Sequence, residues 1–461
     1  MKKRVLLIGS SSGRIDCVAE ALMKSASLVE LYCATNALNP GLISKAEEVK
    51  LFNMNDARAI AIYARKIKPD FGIAVSEEVL GAWIVDMLRN FYIPCIGPTH
   101  ALAKLETSKV WGRYLFSHYQ IAPNPECQVF KGLTGMESYM LGLKKFVVKP
   151  DGLAQGKGVK VYMPEPDKLR SYIQEAISYA RVLIETTGRP VLVEELLEGE
   201  EFSLMSFCDG SNIVHMPPIR DYKRALPDDQ GENTGGMGSY SCEDRVLPFF
   251  APQDLACAMD IQGLVLNAVS REVGELFIGV LYGGFMITAE GLRILEYNVR
   301  PGDPEILNVL PLMQADFVEV CEAMLRNELW KMPIEFEHKA TVCKYVVPDG
   351  YPEKPVKGER IFTQDMPVES GELKIYYGGV HIGHDDNQYL TGGRAIACVG
   401  IANSVGEAEA IAEKAVQCVN GPLYHRHDIG SMRSIARQCD HMDQLRCVSK
   451  KSLINANEKG S

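Results

Sequence analysis

The sequence predicts a multidomain protein of mixed class, with a parallel α/β domain of the doubly wound type first, a larger α+β domain next and a small α/β domain near the end. Three observations predict this. A chain of 461 residues, 46% apolar and 23% charged, is globular and too long for one core. Over the first hundred residues short apolar runs alternate with helical patterns, as βαβ crossovers require. From about residue 101 the texture changes to hairpins and isolated strands between helices, rich in turn signals.

In chain order, "RVLLIG", "VELYCAT", "FGIAV" and "IPCIGPT" read as strands, and "VAEALMKSA", "DARAIAIYARKI" and "LGAWIVDMLRNF" as the helices between them, giving a domain over 1–100. "GSSSG" follows the first strand and opens a helix, where doubly wound folds bind phosphates. Its spacing is not GxGxxG, and a tight strand-to-helix turn is the plainer reading. Residues 101–330 carry "KKFVVKPDG", "GVKVYM", "PVLVEELLEGEEFSLMSFCDG", "IGVLYGGFMIT" and "LRILEYNVR", with a smaller lid subdomain over about 121–195. Residues 331–430 carry "KATVCKYVV", "ELKIYYGGVHIG", "RAIACVGIA" and the helix "VGEAEAIAEKAVQCV". Residues 431–461 begin with Met432, Ile435, Cys439 and Met442 at helical spacing and end in polar "KKSLINANEKGS", a frayed tail.

A net charge of -10 argues against a nucleic-acid binder held by cationic surface and favours a small-molecule partner. The thirteen cysteines lie singly, without CxxC or Cys/His spacing, and read as buried small hydrophobes in a reducing compartment. The apolar run at the start is too short for a signal peptide, and "FIGVLYGGFMITA" falls short of the ~20 residues of a membrane span. A soluble, cytoplasmic protein is expected.

Four constellations carry chemistry. "KPDGLAQGKGV" (149–159) is a glycine-rich turn between strands whose backbone N–H groups can converge on an anion, with Lys149 and Lys157 as point charges. It is not a Walker A loop, since three residues rather than four precede Gly156-Lys157, and Gly158 replaces the hydroxyl. In "VLVEELLEGEEFSL", Glu194, Glu195, Glu198, Glu200 and Glu201 are too dense to stand without cations or hydroxyls facing them. In "RILEYNVRPGDPE", Glu296 and Asn298 lie two apart on a strand and share a face, a carboxylate and an amide oxygen suited to magnesium, and Arg300 continues that face. In "RDYKRALPDDQGENTGGMGSYS", Asp221, Lys223 and Arg224 carry charge, and "NTGGMG" reads as a lid or substrate-clamping loop.

In this order and spacing, "LETSK", "VVKPDGLAQGKGV", "VEELLEGEEFSL", "DYKRA", "NTGGMGSYS", "GVLYGGFM", "EYNVRPGDPE", "TGGRAIACVGI" and "YHRHDIG" closely resemble the phosphoribosylamine–glycine ligase (glycinamide ribonucleotide synthetase) family of the ATP-grasp superfamily, over about residues 3–430. The resemblance implies a Rossmann-like N-terminal domain, an ATP-grasp core and a small C-terminal α/β domain. It implies that Lys109 and Lys149 contact ATP phosphates, that the loop with Gly156, Lys157 and Gly158 closes over them, and that Glu194, Leu196 and Glu201 lie at the adenine hinge and ribose. Glu296 and Asn298 would bind magnesium, or manganese in its place. Arg300 and Asp303, with Lys223, would serve the amino-acid carboxylate and its phosphorylated form. Gly9, Ser10, Arg14, Glu77, Asp221 and Gly302 would contact substrates. The implied reaction turns glycine into an acyl phosphate that the amine of phosphoribosylamine then attacks, in a monomer or homodimer.

The sequence departs from the family mainly on the acceptor side. "GSSSGRIDCV" is longer than the family's first loop, with Ile15 and Asp16 in place of Glu-His; Tyr222 replaces a histidine, and Pro301, Leu307 and Leu312 stand where the family has other residues. A paralogous ligase joining another carboxylate and amine, or a non-catalytic ATP-binding protein, are the alternatives.

Overall fold

The computed structural model describes residues 2–121, 124–153 and 158–459, with side chains as far as Val448. Five parallel strands, β1 Lys2–Ile8, β2 Leu28–Thr35, β3 Glu48–Leu51, β4 Phe71–Ala74 and β5 Cys95–Ile96, form a sheet in the order β3-β2-β1-β4-β5. The strand order reverses between β1 and β4, so the turns after these two strands flank one crevice, where such sheets take ligands. Val5 to Ile8 and Phe71 to Ala74 are buried throughout, as continuous apolar runs in a sheet covered on both faces should be.

The lid has its own core. Strands Cys127–Phe130, Phe146–Pro150, Lys160–Tyr162 and Val191–Glu195 form an antiparallel sheet under helices Met136–Leu143 and Leu169–Thr187, with Phe130, Met140, Phe146, Val148, Ile173 and Val191 buried between. Residues 196–198 connect it to a second antiparallel sheet of strands Gly199–Asp209, Ile213–His215, Ile278–Thr288 and Gly291–Asn298, on which helix Asp254–Val273 packs.

The C-terminal sheet draws strands from both sides of that core. Arg220–Asp221 and Gly238–Ser241 pair in line with Ala340–Pro348, Ile396–Ala402 and Leu373–Tyr377. A Cβ on Gly236 of "NTGGMG", at φ 111°, would stand 2.5 Å from Pro304 Cδ and 2.7 Å from Asp221 Oδ1. This glycine thus makes a close approach within the protein, while Asn233, Thr234 and Gly235 line the cleft.

Helix Met432–Lys459 lies across strands Gly199–Asp209 and Ile278–Thr288 and runs through the polar segment expected to fray. Ile435 and Met442 are buried on its inner face, whereas Met432, expected on the same seam, is exposed. The cysteines are free thiols, and most are buried as expected; Cys257 and Cys447 are the exposed exceptions. Among the described residues no helix is long and apolar enough to cross a membrane.

Candidate active site

A cleft of about 780 Å3 lies where the N-terminal sheet, lid, core and C-terminal sheet meet. Its floor is the strand Gly291–Asn298, and one irregularity of that strand makes the site. Gly284 pairs with Glu296 but Phe285 pairs with Ile294, so Leu295 is an extra residue, a β-bulge. Strict alternation would put Leu292, Ile294, Glu296 and Asn298 on one face. The bulge shifts the phase, so that Leu292, Ile294 and Tyr297 are buried while Glu296 and Asn298 open to the cleft. The Asn298 amide donates to Glu296 Oε1 at 3.4 Å. Burial would raise the Glu296 pKa, but the charges of Lys223, Lys109 and Lys149 outweigh it and hold the carboxylate ionised.

Each of the three lysines has a built position. Ser108 caps helix Lys109–His118 by accepting from the Trp111 N–H, which sets Lys109 at the cleft edge, and Lys109 Nζ donates to Gly152 O at 2.9 Å. Asp151 accepts from Ser108 Oγ at 3.0 Å and from the Val110 N–H at 3.2 Å, so the lid tip is latched to this helix. Lys149 pairs with Glu194, and Lys223 with Glu201 at 2.9 Å. Glu198 meets Lys145 and Glu200 meets Arg220, so the dense carboxylates are answered by cations as their spacing requires. Glu194, in the cleft lining beside the 196–198 connection, anchors Lys149 and Arg113 through its two oxygens. Leu196 lines the cleft, and its N–H donates to Lys145 O at 3.3 Å.

Arg113, one helical turn after Lys109, escaped the sequence reading. Its guanidinium contacts Glu194 Oε1 at 2.6 Å and donates to Ile294 O and Leu295 O at 3.3 and 2.8 Å. It thus serves the bulge carbonyls and the lid carboxylate together. The i, i+4 spacing from Lys109 was the signal available.

At the crevice beyond β1 and β4, four charged groups interlock. Arg300 lies 3.3 Å from Glu77 and 3.0 Å from Glu106, and Arg14 lies 3.5 Å from Glu77 and donates to Val75 O. Asp303 accepts from Tyr345 OH at 2.6 Å and pairs with Arg394 at 3.3 Å, which makes it a hub between domains more than a free carboxylate. Arg394 also donates to the carbonyls of Gly235, Gly236 and Asp303. Asp221 is buried on the cleft wall with Oδ1 unpartnered, and burial together with Glu305 pushes its pKa well above the carboxylate range. Ser10, Arg14, Glu77 and Lys223 also line the cleft.

Gly9 and Gly302 are not in the cleft lining themselves but adjoin the lining residues Ser10 and Asp303 in the chain. A Cβ on Gly9 would stand 2.8 Å from Val75 Cγ2, and one on Gly302 2.4 Å from Glu305 Oε2, so both are close-packing positions. Gly158, at φ 84°, faces Pro150 and Tyr179 outside the cleft lining. Gly156 and Lys157 lie outside the described residues. The family departures are packing changes too. Ile15, Leu307 and Leu312 are core residues, and buried Asp16 pairs with Lys45 at 2.8 Å and accepts from the Tyr377 N–H.

Burial opposes ionisation of Glu194 and Glu77, but Lys149 with Arg113, and Arg300 with Arg14, hold each at about 2 against an ordinary 4.5. Folded-state values below unfolded ones stabilise fully above the unfolded pKa and lose that contribution as pH falls toward the folded one. These two pairings should thus contribute steadily down to about pH 4.5 and lose that contribution from there to about 2, so the thermal midpoint should fall over that range. A midpoint still level at pH 3 contradicts these pairings.

Glu296 and Asn298 offer the hard oxygen atoms that magnesium takes. Among the described residues there is no group of three or more His, Cys, Asp or Glu that could hold a metal ion. Models of the N, ATP-grasp (A) and C domains of phosphoribosylglycinamide synthetase match residues 3–106, 107–306 and 341–432. The phosphoribosylamine–glycine ligase of Methanocaldococcus jannaschii is 42% identical over 96% of this chain and 100% of its own, and that of Methanocella arvoryzae is 39% identical over 96% and 100%. The crystal structure of phosphoribosylamine–glycine ligase from Thermotoga maritima has a TM-score of 0.75 at 28% identity, covering 92% of this chain and 99% of that one. The biotin carboxylase domain of Hydrogenobacter thermophilus 2-oxoglutarate carboxylase, solved with MgADP and bicarbonate, reaches 0.70 at 12% identity over 96% and 94%, a likeness of fold alone. With three consecutive domain models and full-length relatives in agreement, the chain belongs to the phosphoribosylamine–glycine ligase family.

Proposed function

We propose that this chain joins glycine to 5-phosphoribosylamine at the expense of ATP, releasing glycinamide ribonucleotide, ADP and phosphate. The observation that carries the reading is the ordering of charge along the cleft. Lys149 on the lid and Lys109 on the helix it is latched to stand at one end, the Glu296–Asn298 pair on the floor with Lys223 on the wall beside it, and Arg300 and Arg14 at the crevice. A nucleotide polyphosphate, an amino-acid carboxylate and a sugar phosphate meet cations in that order. Residues 1–100 are read as the acceptor domain, 101–330 as the nucleotide domain and 331–430 as the cap.

In this reading the lysines neutralise phosphate charge, and Glu201 and Leu196 border the nucleoside. Bound magnesium, held by Glu296 and Asn298, supplies further charge neutralisation. A glycine carboxylate oxygen attacks the γ-phosphorus, and the bond to ADP breaks. The amine nitrogen then attacks the carbonyl carbon, the C–O bond to phosphate breaks and the nitrogen loses a proton. Arg300, fixed by Glu77 and Glu106, can stabilise the charge that gathers on the reacting oxygens without reorganising. The demand is for positioning and neutralisation, so no protein nucleophile is needed.

The direct test is ADP release with MgATP, freshly generated phosphoribosylamine and either glycine or no amino acid, with the product identified by mass. Glycine-dependent ADP accompanied by glycinamide ribonucleotide supports the reading; ADP release that ignores glycine rejects it. Arg14→Ala should raise the KM for phosphoribosylamine by roughly 10- to 100-fold, the worth of a charged hydrogen bond to phosphate, and leave the KM for ATP alone. An unchanged acceptor KM removes Arg14 from the phosphate site.

A further inference from the structure

Segment 220–229 forms one wall of the cleft, with Arg220, Asp221, Lys223 and Asp229 lining it. Behind that wall lies helix Met432–Lys459, which starts where the last family model stops, at residue 432. Tyr222 joins the two. Set between Asp221 and Lys223, it turns away from the cleft and is wholly buried. Its hydroxyl lies 3.0 Å from Ser434 Oγ and accepts from Gln438 Nε2 at 3.2 Å, while Gln438 Oε1 accepts from Tyr240 OH at 2.8 Å.

Two ionic arms reinforce the join. His441 Nδ1 lies 2.7 Å from Glu200 Oε1, and the other oxygen of Glu200 meets Arg220, which donates to the Asp221 carbonyl. Arg437 holds Asp228 and Asp229 at 2.7 and 2.8 Å. A helix that only covered apolar surface would need none of these bonds. The chain of Tyr222, Ser434, Gln438 and Tyr240 is buried, and such a bonded chain fixes one arrangement of its members because displacement strands a donor or acceptor. The Arg437 and His441 arms lie nearer solvent.

We propose that the C-terminal helix is a positioning element for turnover, holding Asp221 and Lys223 in register with the Glu296–Asn298 floor through Tyr222 and Gln438. The meaning of turnover rests on the function proposed above; the positioning does not. The full-length variants Tyr222→Phe and Gln438→Leu should each lower kcat about five- to tenfold. The KM for ATP should change less than kcat, because Leu196 is held by Lys145 of the lid and Glu201 alone of the nucleoside-bordering pair is joined to the wall, through Lys223. The double variant should be no worse than the poorer single one, since both cut the same bonded chain.

Amide hydrogen exchange over 220–229, measured without substrates, should quicken in both variants. This readout separates the two failures: if the unaltered chain shows no glycine-dependent ADP release, the functional reading fails while exchange still tests the positioning. Unchanged exchange overturns the proposal. So does faster exchange with an unaltered kcat in an active enzyme, which would reduce the helix to a brace.

Discussion

Glu296→Ala is expected to abolish glycine-dependent ADP release, by about a thousandfold or more, while ATP still binds. The carboxylate lies where the fields of Lys109, Lys149 and Lys223 converge, and those fields keep it ionised against burial. Removing it leaves three cations around a floor whose remaining oxygen ligand is the Asn298 amide, so phosphate can bind but the ion that completes charge neutralisation loses its anchor. Binding should persist because the residues proposed to meet phosphate, Lys149 and Lys109, lie on the lid and on helix Lys109–His118 and not on strand Gly291–Asn298. Glu296→Gln keeps the shape and removes the charge, and should be nearly as inactive. ADP release at the unaltered rate in either variant would show that the metal assignment is wrong. Lost ATP binding together with lost turnover would show that Glu296 organises the lysines.

The parts of this site legible in the sequence are those set by local rules. Glu296 and Asn298 share a face because strands alternate. The dense glutamates of 194–201 announce their cations without naming them. What stayed hidden depends on partners far away in the chain. The bulge at Leu295 is a property of the ladder with Ile278–Thr288, and no pattern in "LRILEYN" shows that Ile294 and Glu296 face opposite ways. The glycines of "NTGGMG" advertise close approach but not that Pro304 and Asp221 are what they approach. Tyr222 and Asp16 looked like altered substrate contacts because they stand where the family has other residues. Both are buried and bonded to elements more than two hundred residues away in the chain.

Arg113→Ala is expected to cost about 3–5 kcal/mol of stability, read as a lower urea midpoint, and to raise the KM for ATP. The side chain is buried with four partners in the lid and the core, Glu194, Asn124, Ile294 O and Leu295 O, and its loss leaves Glu194 with Lys149 alone and two bulge carbonyls without their donor. Arg113→Lys should rescue little, because an ammonium cannot reach a carboxylate and two carbonyls in the fixed geometry of a guanidinium. Adding Glu194→Gln to Arg113→Ala should recover part of the stability by removing the stranded charge, but not the KM, since Lys149 then has no carboxylate to hold it. A midpoint within about 0.5 kcal/mol of the unaltered protein, the scale of an ordinary surface change, would mean that Arg113 does not couple the lid to the metal strand. The expected pattern of stability rescued and KM not rescued would mean that it does, and that the lysine reaches its phosphate only because the bulge beneath it is held.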